Sequence, residues 1–397
     1  MQAVFSKNSY LSYFMICFMF VGIAQASGEL VVVIMIKNES NVIVQTLQPY
    51  VDGGVTRMVV LDTGSTDGTI EKVQRFFEQY RHIQGYLFEQ PFINFAESRN
   101  YAIECAESVF KDDCFLFMPD AEWYMQNVEG LLKFCHEHAQ FPVVAYAVKI
   151  RNEAANFNFY TQRLFKAHRD VRFCGVVHEV INFASKLKVP DDIYILWKPS
   201  QDGCNKSCKR WARDRDILLQ ELEKNPDNTR YTFYLAQTYD CLGDLENAVI
   251  WYKKRCGMRG FDEEDFMAHY RLAGIYARQE QWDDAIVYYL KAYGMRPHRA
   301  EPLVHLAQHY WRNQQFALAF LFSVGAVRIP YPETDVLFIE KEQYDYARYD
   351  VLGCAAWYVQ EYEIGKEAVL QALKAHPDYP HLLNNLKIYE EVLNSKK

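Results

Sequence analysis

Between Leu30 and about Ile195, short apolar runs alternate with stretches whose apolar residues recur every three or four positions. That alternation predicts strands interleaved with helices, as in an α/β sheet. LVVVIMI (Leu30 to Ile36) and RMVVLD (Arg57 to Asp62) are continuous and rich in β-branched residues, as expected of parallel strands covered on both faces. The spacing predicts a helix over Asn41 to Tyr50. It predicts another after the second strand, with Ile70, Val73, Phe77 and Tyr80 on one face. GYLFE near Gly85 and CFLFM (Cys114 to Met118) read as a third and fourth strand. FPVVAYAVKI (Phe141 to Ile150) and Thr161 to Phe165 read as later, partly antiparallel strands.

After Trp197 the pattern changes. KPSQDGCNKS is polar, carries Pro and Gly, and reads as a linker into a region with helical periodicity throughout. LAQTYDCLGDLENAVIWYKK from Leu235, LAGIYARQEQWDDAIVYYLKA from Leu272 and LAQHYWRNQQFALAFLFSVGA from Leu306 align with one another, at intervals of 37 and 34 residues. This is the period of a helix-turn-helix unit that must stack on neighbours to bury its apolar face. The resemblance is to tetratricopeptide repeats, carried by Leu235, Ala236, Tyr239, Leu242, Gly243, Ala248 and Tyr252 in the first copy. LGCAAWYVQEYEIGKEAVLQAL from Leu352 is a weaker fourth copy, separated from the third by an insertion around Pro330 to Tyr349.

Composition narrows the class. The chain has 397 residues, 50% hydrophobic and 24% charged, enough for two or three domains with sizeable cores. A net charge of -8 excludes a broad electrostatic attraction to nucleic acid or to anionic membranes. Residues 1–26 stand apart: Lys7, an apolar run from Leu11 to Ile23, and Ala24, Gln25, Ala26 as a small-residue cleavage pattern read as a signal peptide or membrane anchor. The 10 cysteines show no disulfide-scaffold spacing, and the close pair Cys204 and Cys208 reads as incidental thiols. The domains expected are 29–200 and 209–397.

Candidate chemistry lies at predicted strand ends. Asp120 and Glu122, in FLFMPDAEWY, are two carboxylates where a buried strand leaves the sheet. Hard cations take such oxygen ligands, although a solvated turn uses the same residues. LDTGSTDGT follows the second strand: Gly64 and Gly68 permit tight turns, Asp67 can cap the next helix, and Asp62 sits at the carboxyl end, where open α/β sheets bind ligands. KNES places Glu39 at the neighbouring strand end. In NFAESRNYAIECA, Asn94 and Glu97 form a capping box, which puts Arg99 in an apolar stripe with Phe95, Ala102, Ile103 and Ala106. A guanidinium there calls for a partner, a carboxylate such as Asp62 or a bound ligand. In VRFCGVVHEVI, His178 and Glu179 interrupt an apolar run, and only a loop would show both to one site.

KNES, LDTGSTDGT, the RN pair, PDAE and GVVHE together resemble family 2 glycosyltransferases of the GT-A fold, in particular those with a C-terminal tetratricopeptide array. The resemblance implies an α/β GT-A domain, Rossmann-like with a mostly parallel sheet, followed by an all-α tetratricopeptide-type solenoid. It implies a metal-dependent inverting enzyme that moves a hexosyl or N-acetylhexosaminyl group from a nucleoside diphosphate sugar, UDP-sugar first, to a protein or glycan acceptor recognised partly by the repeats. On that reading Asp62, Glu39 and Arg99 form the nucleotide pocket, joined at the diphosphate by Asp120. Asp120, Glu122 and His178 hold Mg²⁺ or Mn²⁺, and Glu179 is the base. The family usually shows a second aspartate where this chain has Glu122. A noncatalytic repeat adaptor with a degenerate sugar-nucleotide domain is the alternative; nucleotidyl transfer would need a basic glycine-rich loop, and KNES offers only Lys37. No nucleic-acid partner is expected. The N-terminal segment reads as export, whereas the resemblance favours a cytoplasmic or membrane-associated enzyme.

Overall fold

The structure is a computed structural model that describes residues 28–152, 157–183, 185, 187–198 and 201–395. The segment read as a signal or anchor lies outside the described residues, as do the side chains of Cys204 and Cys208. Among the described residues no helix is long and apolar enough to cross a membrane.

The first domain is built on an eight-stranded sheet. Its left half contains β1 (Leu30–Ile36), β2 (Arg57–Asp62), β3 (Gln84–Glu89) and β4 (Phe115–Phe117), ordered β3-β2-β1-β4 and all parallel. The right half adds β5 (Trp123–Gln126), β6 (Ala145–Asn152), β7 (Phe157–Lys166) and, after β8 (Phe173–Cys174) and β9 (Val180–Ile181), β10 (Tyr194–Trp197). These continue the order as β7-β6-β10-β5, with β7 antiparallel to both β4 and β6. Connections from β1 run outward to β2 on one side, whereas β4 lies on its other side. The carboxyl ends therefore open a crevice beside β1, the place where such sheets bind ligands.

The continuous apolar strands are buried on both faces, as their composition predicts. Val32, Ile34 and Val60 enter one core, with α1 (Ile43–Asp52) and α2 (Thr69–Gln79). Val31, Val33, Val59 and Leu61 enter the other, under α3 (Phe95–Val109). On α2 it is Phe76 rather than Phe77 that is buried, with Val73. The remaining first-domain helix, α4 (Val128–His138), covers Tyr146.

The second domain is wholly helical. The polar stretch read as a linker is already helix from Gln201: α5 spans Gln201–Lys224. Three hairpins follow, α6 (Thr229–Cys241) with α7 (Leu245–Cys256), α8 (Asp262–Arg278) with α9 (Trp282–Met295), and α10 (Glu301–Arg312) with α11 (Phe316–Val327). Gly243, in the first of these turns, adopts φ +77°, a conformation glycine takes without strain. The weak fourth copy folds as well as the others, as α12 (Arg348–Tyr358) and α13 (Tyr362–Ala375), closed by α14 (Pro380–Ser395). Ala248, Ala285, Ala319 and Ala368 are fully or nearly fully buried where helices meet.

Candidate active site

A cleft of about 3090 Å³ runs from the carboxyl ends of the strands onto the face of the helical domain formed by α6, α8 and α10. At its inner end two loops are stitched together. Asp62 is 1% exposed, and its Oδ1 accepts from the backbone N–H groups of Gly64 and Ser65, both at 2.8 Å. Gly64 sits at φ +103°, where a side chain would be strained. Asn38 takes the Thr66 N–H on its Oδ1 and donates its own N–H to Ser65 Oγ, each at 2.8 Å, while the Glu39 N–H donates to Thr69 Oγ1. Asp67 does not cap α2, whose N-cap is Gly68; it ties Thr69 to Ser40 instead. Glu39 lines the cleft, whereas Asp62 does not, and its Oδ2 is buried and without a hydrogen-bond partner.

Asn94 caps α3 as the spacing predicts, its Oδ1 accepting from the Glu97 N–H, while Glu97 Oε1 accepts from the Asn94 side-chain amide rather than its backbone N–H. The cap orients α3 so that Arg99, 3% exposed, points into the cleft. The partner of Arg99 is not Asp62. Its Nη2 donates to Asp120 Oδ1 at 2.5 Å and its Nε to Glu179 Oε1 at 2.6 Å. A second arginine, Arg163 on β7, 8% exposed, has Nη2 3.4 Å from Asp120 Oδ2 and 3.6 Å from Glu179 Oε1. Sequence reasoning missed Arg163; its only signal is a cation in TQRLF, a strand adjacent to β4. Both guanidiniums also lie 5.5 Å from the centre of the Phe173 ring. Burial works against the Arg99 charge, but Asp120 and Glu179 outweigh it and raise its pKa above the ordinary value. Burial and the neighbouring Arg99 lower that of Arg163. Burial would raise the Asp120 carboxyl, yet Arg163 and Arg99 hold it below its ordinary value. Two cations and two anions thus balance. Arg99 Nη1 and Arg163 Nε and Nη1 remain buried without hydrogen-bond partners.

His178 and Glu179 do lie in a loop, between β8 and β9, with His178 at φ +50°. This loop is held by the helical domain. Val177 is buried in that domain's core, and the Val176 N–H donates to Tyr231 Oη at 3.3 Å. Arg230 Nη2 donates to the His178 carbonyl at 2.9 Å, and the His178 ring stacks on Tyr234 with centroids 3.9 Å apart. Burial pushes the His178 pKa down to about 4, against the pull of Glu179 and with help from Arg230 and Arg210. The imidazole is neutral at pH 7.

The donor set Asp120, Glu122 and His178 has the chemistry of a Mg²⁺ or Mn²⁺ site, but its arrangement does not fit one. Asp120 has a guanidinium against each oxygen. His178 is turned onto Tyr234. Glu122 occupies the left-handed turn that leaves the strand end, at φ +65°, with its backbone N–H on Thr46 Oγ1. Among the described residues no three His, Cys, Asp or Glu side chains converge as a metal site. A divalent ion at Asp120 would also have to displace two cations. Glu179 Oε1 is shared by Arg99 and Arg163.

Residues 31–189 match the family described as glycosyl transferase family 2, and residues 257–302 match the tetratricopeptide repeat family. No curated protein matches the chain. Among solved structures, it is similar to the C-terminal part of a repeat-containing protein from Cytophaga hutchinsonii, with 15% identity and TM-score 0.38, covering 49% of this chain and 70% of that one. It is also similar to the first such domain of human RPAP3, with 23% identity and TM-score 0.26, covering 33% of this chain and 94% of that one.

Proposed function

Taking residues 31–189 as a family 2 glycosyltransferase domain with tetratricopeptide repeats behind it, we propose that the protein transfers a hexosyl or N-acetylhexosaminyl group from a UDP-sugar to a hydroxyl of a protein or glycan. The observation that carries this reading is the pair of buried arginines, Arg99 and Arg163, which line the cleft and keep three buried nitrogens without hydrogen-bond partners. Buried guanidinium donors left without partners are costly. An anionic diphosphate satisfies them, because guanidinium binds such oxygens in a fork. Asp62 and Glu39 would hold the base and ribose, with Asp120 fixing the two arginines. Transfer is a single displacement: the acceptor oxygen bonds to the anomeric carbon, the bond to the diphosphate oxygen breaks, and the electron pair leaves with the UDP. The arginines stabilise that leaving charge, the sugar inverts at the anomeric carbon, and the repeat face of the cleft holds the acceptor.

The test is hydrolysis of UDP-glucose, UDP-galactose and UDP-N-acetylglucosamine by the full chain, with Mn²⁺, with Mg²⁺ and with EDTA. Hydrolysis of at least one donor that persists in EDTA is expected. Loss of activity in EDTA that Mn²⁺ restores would return Asp120 and Glu122 to a metal role. No hydrolysis, and no UDP binding in calorimetry, would leave the noncatalytic adaptor.

A further inference from the structure

Transfer needs a group to take the acceptor's proton, and the two carboxylates that the sequence offered hold arginines at hydrogen-bond distance. Asp120 and Glu179 each contact both Arg99 and Arg163. A third carboxylate lines the same cleft from the other domain: Asp214, on α5, is 5% exposed. Its Oδ1 has no hydrogen-bond partner. Arg213 Nη2 lies 3.7 Å from Oδ1 and Arg210 Nε lies 3.8 Å from Oδ2, beyond hydrogen-bond reach. Both cations have other company, with Arg213 over the rings of Phe92 and Phe95 at 4.6 and 5.5 Å. Arg210 acts electrostatically on Asp120 and His178 as well. Two loose ion pairs without hydrogen bonds only partly offset the burial of this carboxylate, which opposes folding.

We propose that Asp214 is the catalytic base of the glycosyl transfer, supplied to the sheet's crevice by the first helix of the repeat domain. Its carboxylate takes the proton of the acceptor hydroxyl, or of water in hydrolysis, as that oxygen bonds to the anomeric carbon. The bond from carbon to diphosphate breaks with its electron pair going to the UDP, and Asp214 then returns the proton to solvent. Burial first, with Glu179 adding, raises the Asp214 carboxyl to about 6 against the pull of Arg210 and Arg213. A base is most effective with a pKa near the working pH. The charged groups that face it are those two arginines on its own helix and Glu179 on the β8–β9 loop.

This inference rests on the glycosyltransferase reading, and the experiment separates the two. UDP-sugar hydrolysis, with water as acceptor, is followed from pH 4.5 to 8.5 for the wild type, Asp214→Asn and Asp214→Glu, with UDP affinity by calorimetry and melting temperature alongside. The wild type should show an acid limb in kcat with its midpoint near the Asp214 value of about 6. Asp214→Asn should lower kcat by about 10²- to 10⁴-fold with UDP affinity unchanged and that limb gone. Asp214→Glu should recover part of the rate. A full rate with the limb intact in Asp214→Asn would overturn the assignment, as would a loss of UDP affinity matching the loss of rate. A wild type that neither binds UDP nor hydrolyses any UDP-sugar would remove the glycosyltransferase reading, and this base with it.

Discussion

Asp62 and Asp214 carry the sharpest predictions at the scale of single residues. Asp62 Oδ1 holds the turn at Gly64 and Ser65, and Oδ2 is buried without a hydrogen-bond partner; the proposed function gives Asp62 a second task, at the nucleotide. Asp62→Ala should therefore weaken UDP binding by a few-fold to tenfold and also cost about 1–3 kcal/mol of stability, since two backbone donors lose a charged acceptor. Calorimetry and denaturant unfolding read the two separately. Unchanged UDP affinity with reduced stability would confine Asp62 to the turn. For Asp214 the sign is opposite. Its folded pKa of about 6 lies above the ordinary 3.8, so the folded state binds the proton more tightly than the unfolded state. The resulting penalty is absent below pH about 4 and complete above pH about 6. A shift of roughly two units corresponds to about 2–3 kcal/mol at most. Asp214→Asn should accordingly melt higher than wild type at pH 7.5, with the gap closing at pH 4. A lower melting temperature at pH 7.5 would mean that the arginines, not burial, decide its environment.

Among the elements, those governed by local signals were legible in sequence and those governed by long-range packing were not. The strands at Leu30 and Arg57 declare themselves by unbroken apolar runs, and the start of α3 by its Asn94 cap, because each signal is complete within a few residues. Arg99 was read as a buried cation needing a partner for the same reason. Its actual partners, Asp120 and Glu179, lie 21 and 80 residues away, and no local pattern encodes that pairing. Arg163 was invisible because only the antiparallel pairing of β7 with β4 brings it beside Asp120. The first turns of α5 read as linker because they are polar, while further along Leu218 and Leu222 supply the apolar stripe that packs it. The element that the structure singles out is the β8–β9 loop, clamped by α6. Tyr234→Ala should remove the ring under His178, loosening Glu179 and with it Arg99. The expected result is a fall in UDP-sugar hydrolysis of about tenfold or more with little change in circular dichroism, as small misplacements near the chemistry are costly. A Tyr234→Phe variant, which keeps the ring, should restore most of the rate; if it is as slow as the alanine variant, stacking is not what positions the loop.

On the scale of the whole molecule, the two domains line one cleft. A repeat array appended only for recognition would leave donor chemistry intact when removed, so deleting everything after about Ser207 would spare hydrolysis of the donor. The structure argues the reverse. Helices α5 and α6 supply Arg210, Asp214, Arg230 and Tyr234 to the cleft, and Val177 of the first domain is buried in the core of the second. Exposing a buried valine alone costs about 1.5–3 kcal/mol, and the loop that bears Glu179 would lose its anchors with it. Truncation should therefore abolish UDP-sugar hydrolysis as well as transfer. Recognition is expected farther along, where Arg278 and Arg312 line the cleft on α8 and α10. Beyond them the insertion before α12 closes the groove, with the Val336 and Leu337 N–H groups on Glu263 and the Leu337 carbonyl on Arg299. Arg312→Ala in the full chain should raise KM for the acceptor and leave hydrolysis of the donor unchanged. A truncated protein that still hydrolyses UDP-sugar at the wild-type rate would return the array to recognition alone and place the catalytic base within the sheet domain.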